Sequence, residues 1–297
     1  MKILQNGAIV EAEDAKISPF DHGFLYGMGV FETFRTYEGH PFLISNHVER
    51  LNHSLEEMQI DKTFSVEEVM QMVSTLREAN GGKDGYFRLN VSAGVRDIGL
   101  FPEPYEQPSV ILFQKQLPSS GVKEKKGEWL SIHRNTPETS QRLKSHHYFN
   151  NIAARREVSS GNEGLFLTAD GFAAEGVTSN LLWVNQKTLF TPALATGILA
   201  GITRAMVLAL AERAGLEIVE GFFKKEDVLQ AEEVFITNSI QEIVPLCAIE
   251  HTTFPGADGK WTAILKREYQ THTTSLKHIR DLSSLERGED HDAKLQE

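Results

Sequence analysis

The chain has 297 residues, 40% hydrophobic and 24% charged, the balance of a soluble globular protein long enough for two ordinary cores. Its 30 Lys and Arg against 41 Asp and Glu give a formal charge of −11, which argues against a nucleic-acid partner and requires local donors for any anionic ligand. One cysteine leaves no disulfide framework or cysteine-built metal centre, no other metal site is read, and without a signal-like start or a membrane-length apolar run the expectation is a cytoplasmic protein with no membrane partner.

Ile3-Leu4-Gln5 and Ala8-Ile9-Val10 flank Asn6-Gly7, whose positive φ angles suit a tight hairpin turn. Between Ser18 and Arg35, Gly23, Gly27 and Gly29 suit a loop that passes close to something, and a strand is predicted from about Val30. Their spacing matches neither a dinucleotide nor a Walker fingerprint. A helix is predicted from Ser45 or Asn46, with Glu49 completing a capping box; Val48, Leu51 and Leu55 face inward and Arg50 sits beside them. Ser65 and Glu68 open a second helix, which stops at Asn80-Gly81-Gly82. Phe87, Leu89 and Val91 then alternate with Arg88, Asn90 and Ser92 as a half-buried strand, and Val110 to Phe113 is a buried one.

The composition break from Gln116 to Gly127 reads as a linker. It divides the chain into an N-terminal α/β domain over 1–118, a linker over 119–127 and a C-terminal domain over 128–297. From Arg142 to Val158 a helix is predicted with Leu143, Phe149, Ile152, Ala153 and Ala154 as its inner stripe, and Lys144 at its start. Burial and the positive end of a helix dipole both disfavour an ammonium there, and a neutral amine is a nucleophile. Taken alone, Lys144 is more simply one of many solvated lysines. Strands follow at Leu165 to Leu167, Thr178 to Val184 and Thr188 to Thr191; Glu175 lies among them in a setting so apolar that it needs a partner. Gly197 to Arg204 feeds a helix stopped at Gly215, and its free amides suit an anion. The strand Val234 to Ile236 ends at Thr237-Asn238-Ser239, which can add donors to the same anion; Leu276 to Glu297 reads as a surface helix and a charged tail.

An amine, an isolated carboxylate, and a glycine-led helix start with hydroxyls and one arginine are together what pyridoxal 5'-phosphate needs for its aldehyde, ring nitrogen and phosphate. With these motifs in this order, namely Phe31 to Arg35 with His47 to Leu51, the Lys144 stretch, Glu175 to Asn180, and Gly197 to Arg204 with Ser239 to Pro245, the sequence resembles the fold-type IV pyridoxal-phosphate enzymes. That family comprises branched-chain aminotransferases, D-amino-acid aminotransferase and aminodeoxychorismate lyase.

The resemblance implies a smaller N-terminal α/β domain and a larger, barrel-like C-terminal one, usually in a homodimer. It implies that Lys144 carries the cofactor and shuttles protons, that Glu175 faces the pyridine nitrogen, and that Arg50, the Ile202 and Thr203 amides and Ser239 hold the phosphate, with Tyr148 a further cofactor contact.

Tyr148 four residues after the lysine, His147 where that group carries asparagine, and Thr33 in place of glycine count against a branched-chain enzyme. Arg134 to Glu138, Arg142 to Tyr148 and Ser18 to Gly23 look like the bacterial lyases. The implied reaction converts 4-amino-4-deoxychorismate to 4-aminobenzoate and pyruvate for folate synthesis, with Arg35 and Arg96 as candidates for the substrate carboxylates. A branched-chain or D-amino-acid aminotransferase is the alternative within the family. A non-catalytic binding module is the alternative of another class, opposed by the intact Lys144, Arg50 and Glu175.

Overall fold

A computed structural model describes residues 1–117 and 123–282. The chain divides into two compact units, Met1–Leu117 with the segment from His272 onward, and a second unit running to Thr271.

The first unit contains β1 (Lys2–Gln5), β2 (Ala8–Glu11), α1 (His22–Tyr26), β3 (Gly29–Tyr37), β4 (His40–Pro41), α2 (Ile44–Glu57), α3 (Val66–Ala79), β5 (Tyr86–Ser92) and β6 (Ser109–Lys115). The strands form an antiparallel sheet in the order β2-β1-β6-β5-β3-β4. The Asn6-Gly7 hairpin forms as expected, with φ of 48° and 84°. Of the three glycines expected in a loop, Gly23 instead lies inside α1, Gly27 ends it in the left-handed region at φ 70°, and Gly29 opens β3. Ser65 accepts from the Glu68 amide and opens α3. Buried Val48, Leu51 and Leu55 of α2 and Val69, Val73 and Leu76 of α3 pack with Phe87, Leu89 and Val91 of the sheet, which fixes the helix-covered face.

The capping box expected at Asn46 and Glu49 is not made. α2 begins at Ile44 behind a left-handed Leu43, without a side-chain cap. The Asn46 side chain instead accepts from the Ile279 amide at 3.0 Å and meets His278 at 3.1 Å, and Glu49 pairs with His278 and Arg280. Backbone bonds from Leu43 and Ser45 to the carbonyls of Leu276 and Lys277 complete the attachment. These bonds draw the segment from His272 to the first unit, whereas the sequence division keeps it with the second. Of the expected surface helix, Ile279–Asp281 forms one 3-10 turn, and the tail over 283–297 lies outside the described residues.

The second unit contains β7 (Lys125–Trp129), α4 (Phe149–Glu157), β8 (Glu163–Leu167), β9 (Ala173–Gly176), β10 (Asn180–Asn185), β11 (Thr188–Pro192), α5 (Ile202–Arg213), β12 (Glu217–Gly221), α6 (Lys225–Leu229), β13 (Glu233–Asn238), β14 (Glu242–Ile249), β15 (Thr252–Thr253) and α7 (Lys260–His272). Residues 118–122 of the expected linker lie outside the described residues, and its end is already strand β7. The sheet runs β12-β11-β10-β13-β14-β7-β8-β9, and β9 pairs back to β10, so the strands from β10 round to β9 close a ring. The closing seam is one register pair, Asn180 opposite Glu175. A barrel without a free edge at that seam puts Glu175 where its neighbours on both sides are fixed.

Candidate active site

Residues directly opposite in adjacent strands share a face, so the pairs Glu175 with Asn180 and Asn180 with Thr237 place three polar side chains in one cross-strand row. Glu175 is 4% exposed and obtains the partner its setting demands. Its Oε1 accepts from Arg134 Nε at 2.8 Å, and its Oε2 from the Leu199 amide at 3.0 Å and Asn180 Nδ2 at 3.2 Å.

Arg134 is anchored by its backbone to Leu167, lies over the Phe166 ring, and donates to Asn150 and Asn151 at the start of α4. Asn151 also donates to the Val177 carbonyl at 2.6 Å. Arg142 Nε lies 3.9 Å from Glu175 and bonds the Gly197 carbonyl. Burial, then the neighbouring Arg134 charge, pulls the Arg142 guanidinium down to about 10 against the pull of Glu175, leaving it charged at neutral pH.

Asn180 links this cluster to the start of α5, since its amide also donates to the Leu199 carbonyl at 2.9 Å. A Cβ at Gly201 would stand 1.8 Å from Asn180 Oδ1, so only glycine allows this approach. The first turn of α5 is buried at Ile202 and Thr203, and no side chain caps it. Thr203 Oγ1 lies 3.3 Å from Ser239 Oγ. Ser239 is set by a turn in which Asn238 Oδ1 accepts from the amides of Ile240 and Gln241. Donors for an anion and a buried carboxylate are thus joined through Asn180 within one unit.

Lys144 is placed differently from the helix-start expectation. α4 begins only at Phe149, with Tyr148 as its N-cap residue, and half-buried Lys144 lies in the non-helical stretch after the bridge between Arg142 and Leu199. The first turn of α4 thus begins beyond Lys144 in the chain. Of the expected inner stripe Ala154 is buried, but Phe149 is 75% and Ile152 50% exposed, and Asn151 is the other buried residue of α4. The asparagine bonds to Arg134, Val177 and the His133 carbonyl choose which face turns inward.

In the first unit, Arg50 donates from Nε and a terminal nitrogen to both oxygens of Glu32 at 2.7 Å, and His47 Nδ1 meets the same carboxylate at 2.7 Å. Burial would raise the Glu32 carboxyl, but the Arg50 charge and the Arg50 and His47 hydrogen bonds outweigh it and lower it to about 2. Alternation along β3 puts Arg35 on the opposite face, its guanidinium 4.2 Å from the Tyr37 ring. Arg88 joins that face, 3.5 Å above Phe31. Arg96 is held by Glu103 and stacks on Phe101. Sequence reasoning did not assign a role to Glu32, Arg88, Arg134 or Arg142. Only the demand of Glu175 for a partner pointed toward the last two.

The family model described as amino-transferase class IV matches residues 29–249. The chain is 46% identical over 281 residues to the aminodeoxychorismate lyase of Bacillus subtilis, covering 93% of this chain and 96% of that protein. It is 35% identical over 278 residues to a putative branched-chain-amino-acid aminotransferase of Methanocaldococcus jannaschii, covering 91% and 96%. Among solved structures, the branched-chain aminotransferase of Escherichia coli superposes with a TM-score of 0.82 at 26% identity, covering 93% and 95%. A putative 4-amino-4-deoxychorismate lyase from Legionella pneumophila does so at 0.81 and 23%, covering 88% and 97%, a likeness of fold.

Proposed function

This chain belongs to the class IV aminotransferases, enzymes of the fold-type IV architecture, and from that premise we propose that it is a pyridoxal-phosphate lyase converting 4-amino-4-deoxychorismate to 4-aminobenzoate and pyruvate. The 46% identity to the Bacillus subtilis lyase carries the choice of reaction.

The donor set supports the cofactor. The buried α5 start without a side-chain cap, together with the Thr203 and Ser239 hydroxyls, offers neutral donors to a phosphate, and Glu175 offers a carboxylate to a ring N–H. Pyridoxal phosphate, when bound, supplies an aldehyde that exchanges amines and an electron sink for the carbon next to nitrogen. Lys144 would hold the cofactor through its amine and would serve as the base for the proton on the amine-bearing carbon of the substrate. Glu175, fixed by Arg134, Asn180 and the Leu199 amide, would keep the cofactor's ring nitrogen protonated. The Ile202 and Thr203 amides and Ser239 orient the phosphate. Arg50 and Tyr148 are assigned to the cofactor, and Arg35 and Arg96 to the substrate carboxylates, on the resemblance. Loss of pyruvate leaves an aromatic ring, a driving force that amino transfer lacks.

A second copy of the chain is the proposed partner. Phe24 and Tyr26 of α1 and Ile98, Leu100 and Phe101 between β5 and β6 are exposed apolar residues of the first unit, with Leu100 90% exposed, and apolar exposure of that kind supports an interface. Light scattering should give twice 33.3 kDa; the single mass would refute it. Among the described residues no helix is long and apolar enough to cross a membrane, and we assign the enzyme to the cytoplasm.

The deciding experiment supplies the purified protein with 4-amino-4-deoxychorismate and, separately, with pairs of an amino acid and a 2-oxoacid. Release of 4-aminobenzoate that is lost in Lys144→Ala is expected. Amino transfer without 4-aminobenzoate would establish the aminotransferase reading suggested by the 35% relative.

A further inference from the structure

Thr237 is 1% exposed, and its Oγ1 is buried without a hydrogen-bond partner among the described residues. A buried hydroxyl left in that state bears its desolvation cost uncompensated, so a native structure that keeps one needs a reason. Its position supplies one. Thr237 stands directly opposite Asn180, which carries the Glu175 cluster on one side and abuts Gly201 at the start of α5 on the other. Two residues further along the chain is Ser239, whose hydroxyl lies beside Thr203. The orphan hydroxyl therefore sits between the carboxylate assigned to the cofactor ring and the donors assigned to its phosphate. Glu175, Asn180 and Asn238 beside it are hydrogen-bonded within the protein, and the Thr203 and Ser239 hydroxyls meet each other, whereas the Thr237 O–H meets no described group.

We propose that Thr237 is a further cofactor-binding residue, its hydroxyl donating to a phosphate oxygen of the bound pyridoxal phosphate. The inference rests on the cofactor reading above and extends the phosphate donors beyond Ile202, Thr203 and Ser239. It has a consequence that a purely structural threonine would not have. Replacing the hydroxyl by a methyl removes an unsatisfied group from the cofactor-free protein but a hydrogen bond from the loaded one, so stability and affinity move in opposite directions.

The test titrates the full-length chain, depleted of cofactor, with pyridoxal 5'-phosphate and with unphosphorylated pyridoxal, following cofactor absorbance, and records thermal unfolding before loading. For Thr237→Val we expect pyridoxal phosphate to bind about tenfold more weakly, the equivalent of about 1.4 kcal/mol. Pyridoxal affinity should be unchanged, and the unloaded melting temperature equal to or above that of the parent. Thr237→Ser should bind within about threefold of the parent, and Thr237→Ala, which also loses the methyl, should reproduce the weaker phosphate-dependent binding if the valine chain folds poorly. Equal pyridoxal phosphate affinity in the parent and in Thr237→Ala or Thr237→Val overturns the proposal, as does an equal loss for pyridoxal. A parent chain that takes up neither compound overturns the cofactor reading itself, a result distinguishable from the first two.

Discussion

Glu32→Gln isolates the electrostatics of the first unit. The carboxylate is buried, is gripped at both oxygens by Arg50, and meets His47, and these contacts lower its carboxyl from an ordinary 4.5 to about 2. A shift of about 2.5 units at 1.36 kcal/mol per unit makes the ionised form worth about 3 kcal/mol to the folded unit. Because the folded value is the lower one, the contribution is complete above 4.5 and disappears as the pH falls from there to about 2. Glutamine removes the charge and turns an N–H toward donors, leaving Arg50 without its counter-ion, a change that costs about 3–5 kcal/mol when the pair is buried. The three tryptophans, Trp129, Trp183 and Trp261, all belong to the second unit, so fluorescence is blind to this site. Hydrogen exchange of the β3 amides is the suitable assay. At neutral pH the substitution should speed their exchange roughly a hundredfold, and the parent should lose similar protection between pH 4.5 and 2, whereas the glutamine chain should not. Exchange within a factor of three of the parent, or the same acid-dependent loss in both chains, would refute the reasoning.

Gly201→Ala places a methyl 1.8 Å from Asn180 Oδ1, so the start of α5 must shift. A loss of about 1–3 kcal/mol is expected in denaturant unfolding followed by tryptophan fluorescence, together with weaker pyridoxal phosphate binding. An unchanged midpoint would show that the loop yields freely. Asn46→Ala removes the side chain that meets His278 and the Ile279 amide. Protease should cut the segment after His272 faster, with about 1 kcal/mol of local protection lost; an unaltered cleavage rate would contradict the proposed anchoring.

Legibility in the sequence followed the range of the interaction. The Asn6-Gly7 turn and the Ser65 cap are decided within four residues, and both form as read. Asn46 and Glu49 carry an equally good local pattern, yet partners more than 200 residues away capture their side chains. The same competition reverses α4. The apolar spacing of Phe149 and Ile152 predicts an inward stripe, but Asn150 and Asn151 meet Arg134, and satisfying a buried guanidinium outweighs hiding two side chains from water. Glu175 could be singled out as a carboxylate in need of a cation, whereas which cation answered required the barrel register that brings residues 134 and 175 together.

That register gives Glu175 two tasks carried by the same atoms. One oxygen ties down Arg134 and through it the start of α4; the other fixes the Leu199 amide and Asn180, and hence the approach to α5. Under the proposed cofactor assignment, a neutral replacement disturbs both the partner of the ring nitrogen and the loop that would present the phosphate donors. The two effects separate by ligand, because the loop contributes to affinity only when a phosphate is present. If Glu175→Gln weakens pyridoxal and pyridoxal phosphate by the same factor, the carboxylate acts at the ring and the loop is held by its own backbone. If the phosphorylated compound loses more, the excess measures the share of cofactor binding that passes from Glu175 through Leu199 and Asn180 to the amides of α5.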